Sequence, residues 1–192
     1  MLKTLSGRSP SQNEYELRGF IEYLKSSGVT SYMEVGARHG DTFFEVMTSL
    51  PAGSYGLAVD LPGALWGKKS SVDSLQTAAA ELRNRGYKID VIIGDSTAVK
   101  IIQRVREKAP FGAILIDGDH TYKGVKKDWN NYRRMSNVVA FHDIVGDGQY
   151  EKVHRTPVEV PRLWEEIKAE FESTLEFIDE GSLMGIGVCN LP

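Results

Sequence analysis

The sequence predicts an α/β fold in which a mostly parallel sheet is covered by helices on both faces. Three observations predict it: short β-branched or apolar runs recur along the chain, longer segments of helical period separate them, and each early run ends at, or is followed by, a polar residue or a glycine. The tail changes character and reads as an antiparallel hairpin, which brings the expected sheet to seven strands.

Taken in order, a leading helix over 12–27 carries Tyr15, Leu17, Phe20, Ile21 and Leu24 toward a core. The first strand is 31–36 (SYMEVG), followed by helix 41–50. The second is 55–60 (YGLAVD), and helix 72–86 after it sets Leu75, Ala78, Ala79 and Leu82 on one stripe. Strand 89–93 (IDVII) precedes helix 96–108, and strand 112–117 (GAILID) precedes helix 122–135. The fifth strand is 137–142 (NVVAFH), and helix 159–172 presents Val160, Leu163, Trp164, Ile167 and Phe171. Runs 174–179 (TLEFID) and 183–190 (LMGIGVCN) flank the turn Glu180-Gly181-Ser182 and form the hairpin. Residues 1–12 and 144–158 are loosely composed and are expected to be mobile.

With 192 residues, no linker and no internal repeat, the chain reads as one domain over 1–192. The 23 Lys and Arg against 26 Asp and Glu give a net charge of −3, without the basic excess that nucleic acid requires. Neither a signal-peptide core nor a run of ~18 apolar residues is present, so no membrane insertion is expected. A lone cysteine, Cys189, sits in an apolar run and suits a reducing compartment, so a cytoplasmic protein is expected. Oligomeric state is open, and a homo-oligomer is allowed.

In open α/β sheets ligands bind beyond the carboxyl ends of the strands. At the first such end, Glu34-Val35-Gly36-Ala37-Arg38-His39-Gly40 places two glycines in the turn entering a helix, where absent side chains admit a ligand to the backbone. The spacing is neither GxGxxG nor a P-loop, and a tight turn without ligand would look the same. The second strand ends at Asp60, placed to accept hydrogen bonds from two ribose hydroxyls. The third ends in Gly94-Asp95-Ser96, where Asp95 or Ser96 could also simply cap a helix. Asp117-Gly118-Asp119-His120 after the fourth strand faces His142-Asp143 after the fifth. Neighbouring strand ends bring these acids and imidazoles together, and Asp117 with Asp143 could offer oxygens to magnesium or another divalent ion. The plainer alternative has Asp119 capping helix 122–135 and His142 as a hydrogen-bonded core residue. Lys123, Lys126, Lys127, Arg133 and Arg134 read as a solvated helix face around Trp129. Trp66 could cover a ligand or pack on a helix, and His39 and His154 carry no assignment.

The series EVGARHG, VDLPG, IIGDS, ILIDGDHTYKGVKKDW and VVAFHDI resembles the class I S-adenosylmethionine-dependent methyltransferases, particularly the small metal-dependent O-methyltransferases of the macrocin and catechol group. It runs over roughly residues 30 to 190, and its DGDHTY motif followed by a strand ending in HD is the specific part. The resemblance implies a Rossmann-like methyltransferase fold with an antiparallel seventh strand. It implies that Glu34, Gly36 and Gly40 wall the methionine and ribose part of the cofactor, that Asp60 holds the ribose, that Leu61 lies on the adenine face, and that Asp95 and Ser96 address the adenine edge. By the same resemblance Asp117 and Asp143 are metal ligands and His120 takes the substrate proton. His142 stands where catechol enzymes carry an acid, so it is a third ligand only by position.

The implied reaction moves a methyl from S-adenosylmethionine to a hydroxyl of a small molecule, with divalent-metal assistance and His120 as base. A different class competes with it: a cofactor-fold binding or assembly protein that keeps the pocket without turnover. The glycine spacing and the hairpin tail speak against a nicotinamide dehydrogenase. Segments 1–12, 62–70 and 144–158, expected to decide the substrate, have no legible pattern.

Overall fold

The computed structural model describes residues 12–63, 71–146 and 158–192. Its elements are α1 (Glu14–Ser26), β1 (Ser31–Val35), α2 (Asp41–Ser49), β2 (Tyr55–Asp60), α3 (Ser71–Asn84), β3 (Lys88–Ile93), α4 (Val99–Arg106), β4 (Ala113–Ile116), α5 (Tyr122–Tyr132), β5 (Val138–His142), α6 (Val160–Glu170), β6 (Thr174–Phe177) and β7 (Ile186–Asn190). The strands form one seven-stranded sheet in the order β3-β2-β1-β4-β5-β7-β6. The first five are parallel to one another, and β7 runs antiparallel to both β5 and β6.

Successive strand residues point to opposite faces, and the chain supplies an apolar partner for each. Tyr32, Ala58, Leu115 and Ala140 pack under α1, α2 and α3. Met33, Leu57, Ile114, Val139 and Phe141 pack under α4, α5 and α6. Burying both faces explains why the strands read as nearly continuous apolar runs. Each fully buried leucine or phenylalanine of the α1 stripe (Leu17, Phe20, Leu24) contributes roughly 1.5–3 kcal/mol.

Several expected elements differ in detail. Tyr15 does not face the core but is 62% exposed, and Glu16 takes the buried place. The carboxylate of Glu16 earns burial by accepting the N–H groups of Asp179 (3.1 Å) and Gly185 (2.9 Å), so a charged residue pins α1 to the far end of the chain. The hairpin is not a three-residue turn. Residues 178–185 connect β6 to β7, because Met184 leaves the sheet and its carbonyl accepts the N–H of Val145 at 2.8 Å. Helix α4 begins at Val99 rather than 96, since Asp95 Oδ1 accepts the N–H of Thr97 at 2.8 Å and holds 95–98 in a turn. Helix α5 stops at Tyr132, and its cap is Thr121, whose side chain accepts the N–H of Gly124, rather than Asp119. Trp66, His154 and most of 1–12, 62–70 and 144–158 lie outside the described residues.

Register positions the site. Val59, Val35, Ile116 and Phe141 form one row across β2, β1, β4 and β5. The residues one step further, Asp60, Gly36, Asp117 and His142, therefore emerge together at the carboxyl edge.

Candidate active site

Gly36 has φ of 87°, and a Cβ on it would stand 2.1 Å from the Asp117 carbonyl oxygen, so no side chain fits where the loops after β1 and β4 cross. Gly40 caps the start of α2 with φ of 82°. It is not among the residues lining the cleft, and a Cβ there would meet Leu75 and Ala78 of α3 at 3.0 and 3.1 Å, so its missing side chain lets α2 and α3 approach. Between the two glycines, the Arg38 N–H donates to Asp60 Oδ1 at 2.9 Å. Asp60 Oδ2 is buried without a hydrogen-bond partner, and burial raises the pKa of this carboxyl. An orphaned acceptor beside an open cleft is a place for a hydroxyl donor, because leaving it unmade costs roughly 1–3 kcal/mol.

Deeper in the same wall, Glu34 is 1% exposed and accepts the Tyr32 hydroxyl at 2.6 Å. Burial, reinforced by the charges of Asp117 and Asp60 and opposed by the Tyr32 bond, pushes its carboxyl up to about 8. The cleft encloses about 580 Å³, a volume suited to a nucleoside-sized ligand. Leu61, 44% exposed, lies on its wall, as do Asp95 and Ser96. Ser96 does not cap α4; its hydroxyl donates to Asp128 Oδ1 at 2.7 Å. Burial pushes the Asp128 carboxyl up to about 7, aided by Asp119 and Asp95 and opposed by the Ser96 bond.

At the other end four titratable groups converge. His120 Nδ1 lies 2.7 Å from Asp143 Oδ2, and His120 Nε2 lies 3.6 Å from Asp117 Oδ1. His142 Nδ1 stands 3.2 Å from Asp117 Oδ1 and 3.3 Å from Asp143 Oδ1. Asp143 reaches this arrangement through a left-handed backbone, φ 60°, that carboxylates adopt more readily than most side chains. Burial alone would lower the pKa of His142, but the two carboxylates outweigh it and raise it well above the ordinary histidine range. Burial would raise Asp143, yet His142 and His120 hold it well below the usual carboxylate range. The backbone of His120 is fixed by the Glu159 N–H, which donates to its carbonyl at 2.8 Å.

Among the described residues no three His, Cys, Asp or Glu side chains form a ready-made metal-ligand group. What the quartet does offer is His142 Nδ1 and Asp143 Oδ1, both buried and neither in a hydrogen bond of good geometry.

Ten of the eleven expected site residues thus line one cleft, Gly40 being the exception. Gln12 and Met184 are among the lining residues that carried no site role in the sequence. Gln12 donates to Asp117 Oδ2 at 2.8 Å and accepts the Thr42 hydroxyl, bridging the DGDH loop to α2. Met184 comes from a segment expected to be strand. Lys123 and Lys127 also border the cleft, whereas Lys126 pairs with Glu166 and Arg133 lies over Trp129, as a helix face around that ring would require.

No protein-family model matches the chain, and no curated protein sequence does. Solved structures do. An O-methyltransferase from Bacillus cereus in complex with SAH superposes with a TM-score of 0.66 at 15% identity, covering 94% of this chain and 84% of that one. The O-methyltransferase TomG from Streptomyces achromogenes, in complex with SAM, gives 0.68 at 12% identity, covering 95% and 82%. The fold is that of the O-methyltransferases. The methyltransferase domain of a bacterial Hen1 matches at 0.62 and 13% identity, covering 93% of this chain and 99% of that domain. Among the described residues no helix is long and apolar enough to cross a membrane.

Proposed function

We propose that the protein is an S-adenosylmethionine-dependent methyltransferase that methylates a hydroxyl of a small molecule. One observation carries the proposal: a single cleft has an orphaned carboxylate oxygen, Asp60 Oδ2, at one end and a histidine paired to a carboxylate, His120 with Asp143, at the other. The first suits a ribose, the second an acceptor proton. When bound, the cofactor supplies a sulfonium methyl that already has a good leaving group.

The residues then have two tasks, alignment and proton removal. Gly36 lets the ligand reach the backbone, Asp60 holds the ribose, and Glu34 with Leu61 and Asp95 complete the wall. Asp143 holds His120 Nδ1, leaving Nε2 to take the proton of an acceptor hydroxyl, while the bound cofactor would supply the methyl and its sulfur would keep the electron pair of the bond given up.

Divalent-metal assistance is the second part of the proposal. Asp117 and Asp143 with His142 would hold the ion, and the buried atoms without good hydrogen bonds, His142 Nδ1 and Asp143 Oδ1, are what fits it. A bound ion would lower the pKa of a substrate hydroxyl. With a nitrogen in the donor set, manganese suits the site better than magnesium. The single buried thiol, Cys189, fits a cytoplasmic setting.

Calorimetric titration with S-adenosylmethionine and S-adenosylhomocysteine, with and without manganese, followed by a transfer assay over hydroxylated acceptors, tests the reading. Micromolar binding with transfer supports it. Binding without transfer over a broad acceptor set favours a pocket-retaining assembly protein, and no binding removes the methyltransferase reading.

A further inference from the structure

Asp128 belongs to the DGDHTYKGVKKDW motif yet has no place in the mechanism above. It sits on α5 beneath the cleft, with no exposed surface. Its Oδ1 accepts the Ser96 hydroxyl at 2.7 Å, while Oδ2 is buried without a hydrogen bond. One turn further along α5, the Tyr132 hydroxyl donates to the Ser96 carbonyl at 2.5 Å. Two residues spaced i and i+4 on one helix thus hold Ser96 by both its side chain and its backbone. Asp128 also underlies the second cleft loop: a Cβ on Gly118 would stand 3.7 Å from its Oδ2.

A buried carboxyl with one oxygen unsatisfied is costly, and a structural tether alone would be served as well by a smaller polar group. The bond to Ser96 does something a tether does not. A hydroxyl has one proton and two lone pairs. With its proton committed to Asp128, the Ser96 hydroxyl can offer the cleft only lone pairs. A proton taken up by the carboxyl on Oδ2 leaves Oδ1 an acceptor, so the direction of this bond survives either state.

We infer that Asp128 is a positioning residue that fixes Ser96 as a hydrogen-bond acceptor at the cleft wall, so that the site selects a base carrying an amino group over one carrying a carbonyl at the same place. The inference rests on the methyltransferase reading and on Ser96 addressing the adenine edge. Its discriminating ligand pair is S-adenosylhomocysteine and S-inosylhomocysteine, which differ in a 6-amino donor against a 6-oxo acceptor. Facing an acceptor-only serine, the oxo group meets lone pairs and finds no donor, a mismatch worth about 10- to 100-fold in affinity.

The experiment is calorimetric titration of both nucleosides into the full chain and its Asp128→Ala, Asp128→Asn and Ser96→Ala variants, each first shown to be folded by circular dichroism. The wild type is expected to prefer the adenosyl ligand by about 10-fold or more. Asp128→Ala frees the Ser96 hydroxyl to turn and donate, so the preference falls to within about threefold. Asp128→Asn keeps an oxygen opposite Ser96 and keeps the preference. Ser96→Ala loses the preference as well, and Asp128→Ala adds no further loss of preference in that background. A merely structural role would weaken both ligands in proportion and leave their ratio unchanged. If Asp128→Ala does not fold, Asp128→Leu and Ser96→Ala carry the same comparison. An unchanged ratio in Ser96→Ala, or no preference in the wild type, overturns this assignment alone, whereas no binding of either ligand overturns it together with the proposed function.

Discussion

The two ends of the cleft are built on opposite principles. The end formed by the loops after β1, β2 and β3 is incomplete: Asp60 keeps an oxygen without a partner, and Glu34 is a buried carboxyl raised to about 8. The end formed by the loops after β4 and β5 is drawn together by charge, with His120, His142, Asp117 and Asp143 each within 3.6 Å of an opposite partner, although His142 Nδ1 and Asp143 Oδ1 lack a well-formed hydrogen bond. An incomplete wall gains from a ligand that completes it, which is how binding energy is obtained. A self-paired cluster holds its reacting groups in place beforehand, which is how reorganisation during the chemical step is avoided. Binding and chemistry should therefore fail separately.

The sharpest way to break this contrast is at His120. His120→Ala is expected to slow transfer by about 10²–10⁴-fold while S-adenosylhomocysteine affinity stays within twofold or so, a split read from single-turnover kinetics beside calorimetry. A comparable loss of cofactor affinity would mean the two ends are one unit.

Glu34→Gln probes the cost of the incomplete end. Because the folded-state pKa is raised, to about 8 from the ordinary 4.5, its proton stabilises the fold fully below about 4.5, and that contribution is lost as pH rises through 8. The glutamine variant loses nothing over this range. Its stability relative to wild type is expected to grow between those pH values, by up to about 4 kcal/mol, in urea titrations at pH 5 and pH 9. A gap independent of pH would show that Glu34 is ionised throughout.

Asp60→Ala should weaken S-adenosylhomocysteine by about 10- to 100-fold, the value of one or two hydrogen bonds to a charged acceptor, with the thermal midpoint of the ligand-free protein nearly unmoved. Unchanged affinity would take Asp60 out of the site. The smallest effect is expected at Gln12→Ala, which removes the amide bridging Asp117 to Thr42. Turnover should drop only a few-fold, roughly the net worth of one hydrogen bond, measured as kcat at saturating cofactor.

The same contrast explains what the sequence made legible. Strands and helices followed from periodicity because both faces of the sheet are apolar, and the carboxyl-edge residues followed because strand ends align in register. Glu16 was hidden because its partners, the N–H groups of Asp179 and Gly185, are more than 160 residues away, and only such distant donors make a buried glutamate on an amphipathic helix acceptable. Gln12 and Met184 were hidden for a related reason: each reaches the cleft from an irregular segment whose path is set by tertiary hydrogen bonds and leaves no local period. Gly40 packs on Leu75 and Ala78 of α3, a contact that the sequence does not reveal, since a glycine that admits a ligand and one that admits a helix look alike in one dimension.

The placement of β7 between β5 and β6 has a consequence for how the molecule is made. The strand carrying His142 pairs with β4 on one side, but its other neighbour, Ile186–Asn190, is the last of the described strands to leave the ribosome. Until then β5 presents an unpaired edge, and the Met184 carbonyl that fixes Val145 just beyond Asp143 has not yet been synthesised. The cofactor-side loops can assemble on a partial chain, whereas the histidine–carboxylate cluster can take its final geometry only once β7 has threaded into the gap.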